Sequence, residues 1–91
     1  MKIYNAIIIR IADEEIEHIV ISRYDFNHCL TAEKDYFEAE LGSIDDGPDG
    51  EGGWLDDLAE YSFDEQTGEF YIRCEDLNLN ITGHIVETEL L

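Results

Sequence analysis

Basic residues are the scarcest class in this sequence. Only 5 Lys or Arg stand against 23 Asp or Glu in 91 residues, for a formal net charge of −18. Five scattered bases cannot neutralise a phosphate backbone, which excludes direct binding to nucleic acid. Adhesion to an anionic membrane surface fails for the same reason. Long apolar runs are missing too: no stretch reaches the ~18 residues of a membrane span. The opening MKIYNAIIIR has the look of a secretory leader, but Arg10 interrupts it and no small-residue cleavage site follows before Asp13, Glu14 and Glu15. A cytoplasmic protein is expected. There are two cysteines, Cys29 and Cys74, expected in that setting as reduced core thiols, with a bridge between them as the alternative.

What is present is enough for one folded domain over 1–91. Hydrophobic residues make up 44% of the chain, which argues against full disorder despite the charge. Residues 2–11 read as a strand by period-two alternation, with Ile3, Ile7, Ile9 and Ile11 on one face and Tyr4, Ala6, Ile8 and Arg10 on the other. Both faces are apolar, as in a central strand or one covered by a helix. Residues 16–23 admit two readings. Asp13 is placed to cap a helix in which Ile16, Ile19, Val20 and Arg23 share a face, whereas the β-branched run Ile19-Val20-Ile21 favours a strand in a hairpin with the first.

A helix is predicted over 31–41, with Thr31 as N-cap, Lys34 and Glu38 four apart, Leu30, Phe37, Leu41 and Ile44 at helical spacing, and Gly42 as the C-terminal cap. Residues 42–53, GSIDDGPDGEGG, carry five of the seven glycines and the single proline, and read as a flexible loop. Trp54 to Tyr61 reads as a short second helix with Trp54, Leu55, Leu58 and Tyr61 inward. Tyr61 and Phe63 then alternate into the turn DEQTGE, where Gly68 suits a left-handed position. Phe70, Ile72 and Cys74 continue on one face, and Leu77, Leu79, Ile81 and Ile85 alternate through a last strand with a bulge expected at Gly83. The expected class is α+β: an antiparallel sheet of about five strands in the order β-β-α-α-β-β-β, with one or two helices packed on one face.

The charge has a location. Between Lys34 and Arg73 there is no base, while thirteen acids run from Asp35 to Glu69. Over a folded surface of roughly 5,400 Å², an even coat gives one net charge per ~300 Å². Gathered on about a third of that surface, the thirteen acids give one per ~140 Å², close to the one per ~110 Å² of a DNA duplex. A solvated, solubilising coat is the plain alternative. Asp45, Asp46, Asp49, Glu51, Asp56, Asp57, Glu60, Asp64 and Glu65 are therefore candidate partner-binding residues. Trp54 joins them as a candidate aromatic anchor, or else packs inward.

Other chemistries find little support. Asp45-x-Gly47-x-Asp49-Gly50-x5-Asp56 resembles a calcium loop in type at four positions, but Gly47, Pro48 and Asp56 depart from its geometry. His18, His28, Cys29, Cys74 and His84 lack zinc-ligand spacing. Ser22, Ser43 and Ser62 sit in no nucleophile context, and GPDGEGG would repel phosphate. No enzyme activity, cofactor or metal is expected. In length and charge the chain resembles small phage-borne DNA mimics and anti-CRISPR inhibitors, and also acidic immunity proteins that neutralise nuclease toxins. This resemblance of profile implies a non-enzymatic inhibitor of a basic, nucleic-acid-binding protein, as monomer or homodimer. The alternative is a small structural module chelating a divalent ion through loop 45–57.

Overall fold

A computed structural model of the chain describes residues 1–46, 52–53 and 59–89. The alternating N-terminal third forms β1 (Lys2–Ala12) and β2 (Glu15–Arg23), so the β-branched reading of 16–23 holds. They are joined by a two-residue turn in which Asp13 and Glu14 both take positive φ (49° and 71°), the backbone that matches the twist of a tight hairpin. After α1 (Phe26–Asp46) come β3 (Ala59–Phe63), β4 (Phe70–Cys74), a single 3-10 turn at Glu75–Leu77, and β5 (Leu79–Glu89). All strands pair antiparallel in the order β2-β1-β5-β4-β3, and α1 packs on one face of the sheet. This is the α+β class that the sequence predicts.

The helix is longer than its expected 31–41 at both ends, for physical reasons. At the start, the Asp25 carboxylate accepts the His28 backbone N–H at 3.1 Å, so Asp25, not Thr31, satisfies the first-turn donors. Cys29, two turns before Phe37, is fully buried and donates its thiol to the carbonyls of Tyr4 and Ile21. At the far end Gly42 does not terminate the helix. Ile44, two turns after Phe37, is 2% exposed, and burying it outweighs the ~1 kcal/mol that a helical glycine costs. The segment expected as loop from residue 42 is thus helical through Asp46.

The core lies between α1 and one side of the sheet. Ala6 and Ile8 of β1, Ile72 and Cys74 of β4, and Ile81 of β5 are fully buried. Phe37 meets Phe63 and Phe70 at centroid distances of 5.1 and 5.4 Å. The final segment of the expected second helix is instead strand. Tyr61 lies in β3 paired with Ile72 and is half exposed, because alternation with Ala59 and Phe63 completes the sheet edge. Most of that expected helix, 54–58, lies outside the described residues.

Two glycines have steric reasons. Gly68, in the β3–β4 turn, has φ +80°, and a Cβ there would approach Glu33 Oε1 to 2.8 Å. Gly83 is not a bulge: the β1–β5 register runs unbroken from Lys2↔Glu89 to Ala12↔Leu79. It is glycine because the Phe70 ring lies over it, where any Cβ would overlap the ring.

Candidate interaction surface

α1 is a charged ridge above the sheet. Its sheet-facing residues are Cys29, Glu33, Phe37 and Ile44, and its solvent side exposes Asp35, Glu38 and Asp46. From Asp35 to Asp46 the axis rises about 16 Å. The helix carries no acid in its first turn and no base in its last, where Asp45 and Asp46 stand. Acids at that end oppose the helix dipole, a cost of about 0.3–1 kcal/mol each.

The bases present are largely engaged. Lys2 pairs with Glu87 at 3.0 Å, Arg10 with Glu40 at 3.4 Å, and Lys34 with Glu65. The Lys2 and Lys34 ammonium groups are pushed up by Glu87 and Glu65 respectively. Arg10–Glu40 is the half-buried one of these pairs and borders a cleft of about 140 Å³ with Asp13, Ser43 and Leu79. That volume is well below the ~300 Å³ at which small-molecule pockets begin.

The structure divides the predicted site. Asp45 and Asp46 adjoin each other at the end of α1, and the Asp46 carbonyl accepts the Gly52 N–H at 3.1 Å. Asp64 and Glu65 sit in the β3–β4 turn, where the Asp64 carboxylate caps the Gln66 N–H at 2.8 Å. Glu65 is drawn to Lys34, about 16 Å along the helix axis from Asp45. Glu60 points to the opposite side of the sheet, across from Arg73. Among the described residues, the candidate set therefore does not form one continuous cluster. Asp49, Glu51, Trp54, Asp56 and Asp57 lie outside the described residues, as does most of the calcium-like loop 45–57.

The chain matches no family model, no curated protein and no solved structure. What the surface can do must therefore come from its own chemistry. Among the described residues no group of three or more His, Cys, Asp or Glu converges to hold a metal ion, and no helix is long and apolar enough to cross a membrane. Cys29 and Cys74 are both buried and free, and burial pushes the Cys29 thiol up.

Two features went unread in the sequence. Asp35 and Glu38 belong to the same acidic window as the candidate residues, and helical spacing from Phe37 was signal enough to put them outward. The second is the far side of the sheet. Ile3, Ile7, Ile9 and Ile11, the isoleucine-rich face of β1, point away from α1, since Ala6 and Ile8 on the other face are the ones the helix buries. The apolar even positions of β2, Ile16 and Val20, pair with Ile11 and Ile7 on that same far side.

Proposed function

We propose that this protein is a non-enzymatic acidic binding protein that occupies the basic nucleic-acid-binding surface of a partner. It would act as a DNA-mimic inhibitor, of the kind that phages direct against host defences. The observation that supports it is the solvent side of α1. Asp35, Glu38 and Asp46 are exposed there, and the last turn keeps two acids where the helix dipole penalises them. Charge retained against a local cost is what a surface shaped for an external cation looks like. A ridge of this sign steers association with a Lys/Arg-rich groove and competes with duplex for it. A cytosolic setting, where such effectors act and buried thiols stay reduced, fits the same reading.

The test is capture from a bacterial lysate at low salt on the immobilised chain. The expected result is a basic, nucleic-acid-binding protein that added duplex DNA or moderate salt releases, and that the Asp35→Lys/Glu38→Lys/Asp46→Lys variant does not retain. If the captured protein were a nuclease toxin, the reading would narrow to immunity. Capture that DNA does not reverse, or that survives the triple reversal in a folded variant, would overturn it.

A further inference from the structure

The sheet has a side that α1 does not cover, and its chemistry is unlike the rest of the molecule. A quarter of the chain is acidic, 23 of 91 residues. Yet among the far-side positions of the five strands the only acid is Glu60, and it lies across from Arg73. Every other strand carboxylate, on Glu15, Glu17, Glu87 and Glu89, belongs to the helix-side register. In place of charge the far side carries a stripe of β-branched side chains: Ile7, Ile9 and Ile11 of β1, Ile16 and Val20 of β2, and Val86 of β5. Ile16 and Val20 are 62% and 60% exposed.

Size and charge together identify the occupant. The two eleven-residue strands, β1 and β5, are about 36 Å long, and side by side with the nine residues of β2 and the five each of β3 and β4 they cover roughly 650 Å² in plan. Side-chain relief raises the accessible area above that, toward the ~800 Å² per partner of a stable interface. The apolar part of this face is the stripe on β1 and β2, flanked on β5 by the polar Asn80, Thr82 and His84. A basic partner gains nothing here, since its cations would meet a near-neutral, apolar surface. A second copy, by contrast, is repelled by the acidic surfaces of a chain carrying −18 and meets on this one a single strand acid, Glu60, with Arg73 across from it.

We infer that the far side of the sheet is the interface of a two-fold homodimer, two sheets packed face to face across the Ile7–Ile9–Ile11 stripe. Aligned sheets pack about 10 Å apart at roughly −30°, and a two-fold axis makes the patch its own complement. The two helices then lie on opposite outer surfaces, and the dimer presents two acidic ridges. Salt acts on the two associations in opposite directions. Screening weakens repulsion between copies and so tightens the dimer, whereas it loosens any contact between the ridge and a basic partner. The dimer therefore stands or falls separately from the proposed function.

Sedimentation velocity of the intact chain at moderate salt tests it. The expected species has twice the 10.5 kDa monomer mass. Thr82→Glu, a solvent-facing position on β5 in the middle of this side and not at the β2 edge, is expected to raise the dimer dissociation constant by roughly 100-fold, as an unpaired buried charge should. Ile16→Lys/Val20→Lys is expected to do the same, with unchanged far-UV circular dichroism, because both side chains are already exposed in the monomer. Asp35→Asn/Glu38→Gln on α1 is expected to leave the dimer intact. A wild-type monomer at high protein concentration and moderate salt would overturn the inference. So would a dimer that Thr82→Glu does not weaken, which would place the contact at a sheet edge.

Discussion

Glu33 is, among the described residues, the only charged side chain that folding removes entirely from water. It sits on the sheet side of α1 beneath the Gly68 turn, and neither carboxyl oxygen has a hydrogen-bond partner among the described residues. Burial without compensation pushes its carboxyl up to about 7, against about 4.3 in an unfolded chain. Between those values the native state holds a proton that the unfolded chain has lost. Stability is therefore greatest below the lower value and falls as pH rises through the upper one, by roughly 3 kcal/mol in all. Glu33→Gln removes the titration but keeps the shape. Between pH 5 and pH 8 the wild type is expected to lose about 10 °C more in melting temperature than the variant. Differential scanning fluorimetry across that range checks it, and parallel slopes would show that Glu33 keeps its charge in the folded state. The raised hydroxyl of Tyr36, pushed up to about 12 by burial and then by Glu40, titrates too high to interfere.

At the scale of elements, α1 is stabilised through its inward face and strained at its end. Phe37 and Ile44 hold it to the sheet, while Asp45 and Asp46 set negative charge on the negative pole of its dipole. Asp46 is exposed, so Asp46→Lys replaces an unfavourable charge with a favourable one at little steric cost. It is expected to raise stability by about 0.5–1 kcal/mol, or a few degrees. Chemical denaturation would show it as a higher midpoint at unchanged slope, and a lower midpoint would mean that the carboxylate holds a contact worth more than the dipole term. The elements themselves were largely legible, because period-two alternation survives in β1, β4 and β5 and β-branching decides β2. Helix ends were not. Capping by Asp25 and the continuation past Gly42 are decided by whether Cys29 and Ile44 find the sheet beneath them, which is tertiary information. The direction of β1 was illegible for a related reason: both faces are apolar, and only the placement of α1 determines which becomes core. The acidic site was legible as a stretch of sequence but not as a surface, since the antiparallel pairing sends Glu60 to the side of the sheet away from α1 while Glu65 reaches Lys34 on the helix.

For the molecule as a whole the question is how a chain with this charge stays folded. Its accessible surface is 5943 Å², so 18 net charges leave one per about 330 Å² if spread evenly. They are not spread evenly. With the far side of the sheet nearly bare of acids, the repulsion is concentrated on the helix layer, the turns and the strand ends, where the exposed or half-buried ion pairs, those of Lys2, Arg10 and Lys34 and that of the N-terminal ammonium with Glu89, relieve little of it. The molecule measures 49 × 24 × 17 Å. At about 0.02 M salt the Debye length is roughly 20 Å, so charges repel across its whole width, and by about 0.3 M it has shrunk to roughly 6 Å, so that only near neighbours interact. Raising salt over that interval is therefore expected to raise the melting temperature by several degrees, with chloride and sulfate giving the same rise at equal ionic strength in this low range. Most proteins with balanced charge show little change, because screening then weakens attractions and repulsions alike. A flat or falling melting temperature would mean that local ion pairs outweigh the net repulsion, and that the acids are placed closer to their few bases than to one another. A rise confined to high protein concentration would instead assign the stabilisation to salt-driven pairing of two sheets, since a dimer's stability depends on concentration and an isolated domain's does not.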